Sequence, residues 1–247
     1  VMRAEEADLT LVPPRDDVGF DADALATAAA ETEAVLTILT TPNNPTGLAM
    51  TLDELEQVVT ASSGFVVIDE AYVEFNPEGT AIDLLEQHPN VLILRTLSKG
   101  FGLAGARLGY LLAHPAVVTE LMKARLPFMV DRFAEQTALA VLRRPDLIED
   151  RVSRIEASIT TLTEALQAME GVEVVPSQAN FVVFTTPLPA DTLQDRLADR
   201  GVLVRNMGGY PELEGYLRVS AGTEEENNAF LDALDVSLEE AGAISEV

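Results

Sequence analysis

The chain has 247 residues, of which 47% are hydrophobic, so it can bury a substantial core and is not expected to be disordered. It carries 41 acidic and 16 basic residues, for a formal net charge of −25, which makes nucleic acids and anionic membranes poor partners. Cysteine is absent, so disulfides, thiolate zinc sites and a cysteine nucleophile are excluded. The two histidines each precede a proline in a predicted loop, and we expect no metal site.

The composition also predicts the environment of the protein. No apolar run reaches the roughly 18 residues that a membrane span needs, and the first residues do not form a signal peptide, so we expect a soluble cytoplasmic protein. Repulsion among so many carboxylates destabilises the compact state at low ionic strength, and salt relieves it. The acidic, lysine-poor composition therefore favours a halophilic source.

Short apolar runs alternate with helical patterns over residues 1–145, which predicts a large α/β domain with a mostly parallel sheet. The candidate strands of this sheet are 9–12, 35–39, 65–68, 91–95 and 108–112. The candidate helices are 51–62, 116–126 and 133–142. Thr51 and Glu54 form a predicted capping box at the start of the first of these helices.

The pattern changes in residues 146–247, where we expect a small α+β domain. A long amphipathic helix over 146–169 is predicted to link the two domains. The candidate strands that follow are 173–175, 181–184, 202–205 and 217–220. One helix is predicted over 190–199, and another follows Thr223, which forms a capping box with Glu226.

The strongest functional signal lies in three turns that each follow a predicted strand, at 41–47, 69–72 and 95–107. Ligands of a doubly wound sheet bind just beyond the carboxyl ends of the strands, so we expect the turns to face one crevice. Asp69 could bind a metal, act as a base or face a cationic ring nitrogen, and Tyr72 could donate from its phenol. Lys99, beside hydroxyls and glycines and with Arg107 further on, predicts an anion site. The segment around Lys99 does not fit the Walker A pattern, which disfavours a nucleotide P-loop.

These turns belong to four longer segments, which are PNNPTG at 42–47, DEAYVEF at 69–75, RTLSKGFGLAGAR at 95–107 and YLRVSAGT at 216–223. In this order the segments resemble the fold type I aminotransferases that depend on pyridoxal 5'-phosphate (PLP), and among them most closely the histidinol-phosphate aminotransferases. The likeness extends over nearly the whole chain. It implies the α/β PLP-transferase fold of type I, with a large domain that is incomplete at its N-terminus and a small C-terminal domain. It also implies a homodimer.

The resemblance assigns roles to the residues around the cofactor ring. Lys99 would bind PLP covalently and then move the substrate proton. Asp69 would pair with the pyridinium nitrogen and keep it protonated, so that the ring can accept electrons. Asn44 and Tyr72 would hydrogen-bond the phenolic oxygen of the ring. Of these residues, Lys99, Asp69 and Tyr72 form the expected catalytic group.

The remaining expected contacts bind the cofactor phosphate and the substrate. The residues that the resemblance assigns to the phosphate are Thr96, Ser98 and Arg107, whose hydroxyl and guanidinium groups suit a dianion. Arg218 would bind the substrate carboxylate with two parallel hydrogen bonds. Asn180 matches a motif near the substrate, and Arg205 lies where a contact with a substrate phosphate is expected. We interpret Glu70 and Glu74 as solvated or structural.

The resemblance points to transamination of histidinol phosphate with 2-oxoglutarate, which gives imidazole-acetol phosphate and glutamate in histidine biosynthesis. Similar motifs serve aromatic aminotransferases and threonine-phosphate decarboxylases. A non-catalytic remnant that folds and binds a partner is an alternative from another class.

The chain begins late compared with the family. The family's N-terminal arm, its Gly-rich turn at the phosphate and its aromatic residue stacked on PLP have no counterpart before Val1 and Met2. Two sheet strands would be missing with them, which would leave exposed edges and apolar surface. We therefore expect this chain to bind PLP more weakly than a longer version would.

Overall fold

The computed structural model describes residues 8–245, and the first of its two sheets confirms the prediction of a mostly parallel arrangement. In spatial order its strands are β1 (Leu36–Thr40), β2 (Phe65–Asp69), β3 (Val91–Thr96) and β4 (Gly109–Ala113). The pairings of β1 with β2 and of β2 with β3 are parallel, whereas β4 runs antiparallel to β3. Because β2 and β3 are parallel neighbours, their carboxyl ends meet at the same edge of the sheet.

Five helices accompany the first sheet. They are α1 (Ala22–Glu31), α2 (Leu52–Ala61), α3 (Leu84–Gln87), α4 (Pro115–Lys123) and α5 (Arg132–Leu142). The predicted capping box begins α2, since Thr51 Oγ1 accepts from the Glu54 N–H and the Glu54 carboxylate accepts from the Thr51 N–H. The inner faces of α1 and α2 pack on the strands around the fully buried Val58, Val66 and Ile93.

A second sheet, antiparallel throughout, forms the small α+β unit. In spatial order its strands are β5 (Glu173–Val175), β6 (Phe181–Thr185), β8 (Leu217–Ser220) and β7 (Arg205–Asn206). The helices of this unit are α6 (Pro145–Gln167), α7 (Ala190–Asp199) and α8 (Glu224–Ser245). Their apolar faces enclose Phe184, Leu197 and Leu234. The division of the chain into domains at 145 and 146 stays a prediction, and α6 begins at this point.

Two predicted strands are wrong. Residues 9–12 do not pair with any strand, and Leu9 and Leu11 are 70% and 78% exposed, so the apolar run there has no sheet partner. In the predicted strand 202–205 only Arg205 pairs with a strand of the sheet. Val204 instead packs in the hydrophobic core beside α7. The alanine-rich α1, to which the sequence patterns assigned no element, begins at Asp21, whose carboxylate accepts from the Ala24 N–H.

The edge of the first sheet at β1 is uncovered within the described residues. β1 pairs on one side only, with β2. Leu36 and Ile38 are 43% and 53% exposed, and they line an open, mostly apolar cavity of about 840 Å³. An exposed edge and apolar surface of this kind were expected from the sequence.

The two sheets meet through a shared apolar cluster and through the turn after β1. Tyr72 and Phe75, which follow β2, pack with Phe181 and Val183 of β6. The turn contributes backbone contacts, since the Gln178 N–H donates to the Gly47 carbonyl at 2.7 Å. These contacts bring the polar turns of the first sheet next to the strands of the second. Every helix among residues 8–245 is too short or too polar to span a membrane.

Candidate functional site

The carboxyl ends of β2 and β3 open into a cavity of about 600 Å³. Asp69 is the last residue of β2 and Thr96 is the last residue of β3, so the parallel register places them on adjacent strands at one edge. Among the predicted site residues, those that line the cavity are Asp69, Thr96, Ser98, Lys99 and Arg107. The structure therefore brings together residues of the second and third turns that the sequence analysis selected.

Lys99 extends from the turn after β3 toward the ring of Tyr72. Its Nζ atom lies 5.1 Å from the ring centroid, within the range of a cation–π contact. Tyr72 is only 4% exposed, and its ring meets Phe181 edge-on with the centroids 5.5 Å apart. The only other lysine in the sequence, Lys123, lies on α4 and pairs with Glu120 at 2.6 Å. Lys99 is thus the single lysine at the cavity.

Asp69 presents a half-buried carboxyl group to the same cavity. Its Oδ1 atom accepts a hydrogen bond of 3.0 Å from the Ala71 N–H. Burial raises the pKa of Asp69, and the hydrogen bond from Ala71 only partly opposes this effect. A cationic partner placed against this carboxylate would therefore lower its free energy.

Thr96, Ser98 and Arg107 supply hydrogen-bond donors at the same cavity. Thr96 Oγ1 donates to Ser98 Oγ at 2.9 Å, and the Ser98 N–H donates to Thr96 Oγ1 at 3.1 Å. Arg107 has a φ of +52°, in the left-handed region that a residue with a side chain seldom adopts. Such backbone strain is concentrated at ligand sites. Two hydroxyls and a guanidinium suit a bound anion.

Asn44 and Arg218 lie together at the boundary between the two sheets and do not line this cavity. Arg218 Nη1 donates to Asn44 Oδ1 at 2.6 Å. The guanidinium of Arg218 lies 4.9 Å from the centre of the Phe181 ring, which in turn contacts Tyr72. A continuous set of contacts therefore connects Asn44 with Lys99.

Of the substrate residues expected from the sequence, Arg205 and Arg218 lie on the second sheet, and Asn180 directly precedes its strand β6. Arg205 of β7 stands directly opposite Arg218 of β8, and directly paired residues point to the same face of a sheet. Arg218 Nε is buried and has no hydrogen-bond partner among residues 8–245, and Nη1 of the same guanidinium donates to Asn44. Asn180 is half-buried, and its carbonyl accepts from the Ala221 N–H at 3.0 Å.

The structure adds residues that the sequence analysis did not select. Arg95 and Tyr110 line the cavity. Glu70 is 3% exposed, and it pairs with Arg95 at 2.8 Å and accepts from the Ala81 N–H at 2.6 Å. The sequence analysis interpreted Glu70 as solvated or structural, and the structural interpretation is confirmed. The position of Glu70 directly after an apolar strand was the signal in the sequence that could have indicated its burial, although many carboxylates at strand ends are solvated.

Comparison with known proteins identifies relatives that match nearly the whole chain. The family model of aminotransferase class I and II matches residues 1–234. The histidinol-phosphate aminotransferase of Chlorobaculum tepidum is 39% identical over 232 residues, which cover 94% of this chain and 66% of that protein. The enzyme of the same name from Thermobifida fusca is 43% identical over 236 residues, covering 95% of this chain and 63% of that protein. The chain thus spans slightly less than two thirds of the length of these relatives.

Two solved structures are also similar to this chain. The histidinol-phosphate aminotransferase of Sinorhizobium meliloti, solved in complex with pyridoxal-5'-phosphate, superposes with a TM-score of 0.87 at 30% identity. The match covers 95% of this chain and 65% of that one. A decarboxylase from Sulfurospirillum multivorans superposes with a TM-score of 0.81 at 29% identity, over 90% of this chain and 68% of that one. These structures share the α/β fold described above.

Proposed function

Because the chain belongs to the aminotransferase class I and II family, we propose that it carries the site of a PLP-dependent aminotransferase. The observation that carries the proposal is the placement of Lys99 and Asp69 in one cavity, with an amine and a carboxylate available to the same ligand. The specific reaction that we propose is transfer of the amino group of histidinol phosphate to 2-oxoglutarate, which gives imidazole-acetol phosphate and glutamate. The relatives from Chlorobaculum tepidum and Thermobifida fusca support this choice.

The residues of the cavity fit the chemistry of PLP. Asp69 is a desolvated carboxylate that gains from a cationic partner, and a protonated pyridine nitrogen is such a partner. Thr96, Ser98 and Arg107 offer hydroxyl and guanidinium donors to a phosphate dianion. Lys99 supplies the primary amine that would react with the aldehyde group of PLP. Bound PLP would act as the electron sink when a bond to the substrate carbon breaks.

The protein's own residues then have separate tasks. Lys99 Nζ accepts the proton from the substrate carbon that bears the amino group, since it is the one lysine at the cavity. Tyr72 holds this amine over its ring and, together with Asn44, orients the ligand. Arg218 binds a carboxylate of 2-oxoglutarate through its guanidinium group, which contacts through Phe181 and Tyr72 connect with Lys99.

The proposed preference for a phosphorylated substrate depends on Arg205. The pairing of Arg205 with Arg218 places two guanidinium groups on one face of the second sheet. Histidinol phosphate has no carboxylate, so its phosphate would bind this pair in one half-reaction, and the carboxylates of 2-oxoglutarate would bind it in the other. Asn180 lies one residue before Phe181, whose ring supports Arg218, and is proposed to contact the same substrate.

We further propose that the protein acts as a cytoplasmic homodimer. The segment 126–133 exposes Leu126, Phe128, Met129 and Phe133, which are 70%, 98%, 61% and 86% exposed. Contiguous apolar surface of this kind usually marks an interface. Sedimentation equilibrium of the native chain and of Phe128→Glu tests the dimer, because a charge at a buried apolar interface should produce monomers.

Borohydride trapping tests the cofactor proposal directly. The chain is incubated with saturating PLP, reduced with borohydride, digested and analysed by peptide mass spectrometry. We expect the added mass on the peptide of Lys99 and not on that of Lys123, which makes Lys123→Ala the matched control for Lys99→Ala. Equal modification of both lysines would contradict a specific PLP site.

A second assay separates the possible substrates. Product formation is measured in molar KCl with histidinol phosphate and with phenylalanine as amino donors, and decarboxylation is measured with threonine phosphate. The proposal expects the highest kcat/KM with histidinol phosphate. Decarboxylation as the main reaction would favour the activity named for the Sulfurospirillum multivorans protein. A chain that binds PLP on Lys99 but converts none of these substrates would favour a non-catalytic remnant.

A further inference from the structure

The turn that follows β1 carries Asn44 and is closed by its own hydrogen bonds. We call residues 41–50 the Asn44 turn. The Asn43 N–H donates to the Leu48 carbonyl at 2.7 Å, and the Gly47 N–H donates to the Asn43 carbonyl at 2.8 Å. Because these bonds cross a loop of few residues, we expect the Asn44 turn to move as a unit.

Gln178, in the segment between β5 and β6, binds the Asn44 turn with two hydrogen bonds. Its N–H donates to the Gly47 carbonyl at 2.7 Å, and its side-chain Oε1 accepts from the Ala49 N–H at 2.8 Å. The two contacts lie on either side of Leu48. Gln178 is half-buried, so the surrounding protein partly shields these bonds from competition by water.

The close approach of the two segments depends on Gly47. A Cβ atom at this position would lie 2.5 Å from Ser177 Oγ and 3.1 Å from Ser177 Cβ. Gly47 also has a φ of +84°, which a residue with a side chain rarely adopts. Ser177 is held in turn, since its Oγ donates to the Phe181 carbonyl at 2.5 Å. The Asn44 turn is therefore packed closely against the segment that leads into β6.

The second sheet also holds the Asn44 turn at another point. The segment of Gln178 leads into β6, and β6 pairs with β8. Arg218 of β8 donates to Asn44 Oδ1 at 2.6 Å. Gln178 and Arg218 thus bind the turn from one sheet at two places. The hydrogen bonds of Gln178 therefore help to set where Asn44 lies relative to Arg218.

We infer that Gln178 is a positioning residue: its side-chain oxygen holds the Asn44 turn on the second sheet and so keeps Asn44 in place as the partner of Arg218. The inference rests on the proposed function, in which Arg218 binds a carboxylate of 2-oxoglutarate. Without this oxygen, Arg218 loses a fixed partner, and its guanidinium must be ordered when the carboxylate binds, which lowers affinity. Lys99 and Asp69 follow other strands, so we expect the step at the substrate carbon to change little.

Hydrogen exchange of single amides, followed by NMR spectroscopy of the chain without PLP, tests the contact itself. We expect the Ala49 amide to exchange at least about tenfold faster in Gln178→Ala than in the native chain. The Met50 N–H donates to Thr41 Oγ1 at 2.9 Å within the turn, so it is the internal reference and should keep its rate. Gln178→Glu retains an oxygen acceptor and should restore slow exchange of Ala49.

Steady-state kinetics of the same variants, loaded with PLP, test the effect on the proposed reaction. We expect KM for 2-oxoglutarate to rise about fivefold in Gln178→Ala, with kcat changed by less than about twofold, and Gln178→Glu to recover most of the loss. Gln194→Ala is the matched control. It removes another half-buried glutamine of the second unit, whose Nε2 donates to the Val204 carbonyl at 3.0 Å, and it should keep both constants.

The outcomes separate positioning from general stability. An unchanged Ala49 rate in Gln178→Ala would overturn the inference, and so would an equal acceleration of Ala49 and Met50, which would indicate only a less stable fold. A fall in kcat as large as the rise in KM would also overturn it. If the Ala49 rate responds as expected but the native chain performs no transamination, the proposed function fails while the contact made by Gln178 is supported.

Discussion

The guanidinium of Arg218 donates a 2.6 Å hydrogen bond to Asn44 Oδ1 and so joins β8 to the turn after β1. This contact connects the second sheet to the edge of the first sheet where the cavity opens. In the proposed function, Arg218 binds the substrate carboxylate and Asn44 contacts the cofactor ring. Substrate binding is therefore expected to exchange or share this hydrogen bond, which couples the positions of the two ligands.

Replacing Arg218 by lysine should impair substrate binding more than cofactor binding. Lysine keeps the charge but loses the planar fork that grips a carboxylate with two hydrogen bonds. We expect kcat/KM for 2-oxoglutarate to fall about 100-fold, or about 3 kcal/mol, with most of the loss in KM. Steady-state kinetics and PLP titration measure the two effects. Arg154→Lys, in the exposed pair with Asp150, is the control, and equal losses in both variants would refute the assignment.

Replacing Asp69 by asparagine should separate stability from cofactor binding. Because burial raises the pKa of Asp69 above its usual 3.8, the folded chain holds this proton more tightly than the unfolded chain. The free energy of unfolding contributed by Asp69 is therefore lost as pH rises from about 3.8 through the folded-state pKa. Asp69→Asn removes that loss, so we expect the ligand-free variant to be more stable than the native chain at pH 7.

The same variant should bind PLP at least about tenfold more weakly, because an amide does not supply the charge that stabilises a cationic ring nitrogen. Urea denaturation at several pH values and spectroscopic titration with PLP provide the measurements. Asp195→Asn, an exposed change on α7, should alter neither. A variant that is less stable but binds PLP normally would contradict the role of Asp69.

The buried pair of Glu70 and Arg95 should be important for the stability of the cavity wall. Glu70 also accepts hydrogen bonds from Thr80 Oγ1 and from the Ala81 N–H, so its removal leaves several buried donors unpaired. We expect Glu70→Gln to lower the free energy of unfolding by about 3 kcal/mol. Asp146→Asn breaks an exposed pair with Arg144 and should cause no measurable change. Urea denaturation of the two variants compares them, and equal stability would contradict the prediction.

The net charge of −25 predicts a dependence on salt. At molar ionic strength the Debye length is about 3 Å, so repulsion between exposed carboxylates is largely screened. We expect the melting temperature to rise between low and molar KCl. Differential scanning calorimetry at several KCl concentrations measures this, with a neutral osmolyte at matched osmolality as the control. A melting temperature that does not rise would count against a halophilic adaptation.

Local signals in the sequence predicted most of the elements. The capping boxes at Thr51 and Thr223 begin helices where expected, because a cap depends on residues only three apart. Strand 202–205 was mostly wrong because Val204 is buried by α7, and an apolar residue is equally suited to a core loop and to a strand. Likewise, the apolar pattern of residues 9–12 predicts a strand. A strand also requires a neighbouring strand to pair with, and the pattern of these four residues does not specify one.

The sequence by itself determined which residues could do the chemistry, because the types and spacing of Asp69, Lys99 and Arg107 are written in three turns. Only the tertiary structure decided which of them share a cavity, since that follows from the parallel register of β2 and β3. The contact of Arg218 with Asn44, 174 residues apart in the chain, depends on how the two sheets pack. The burial of the Glu70 carboxylate beside Arg95 has the same origin, because desolvation is set by every neighbour in space and the sequence names only the neighbours along the chain.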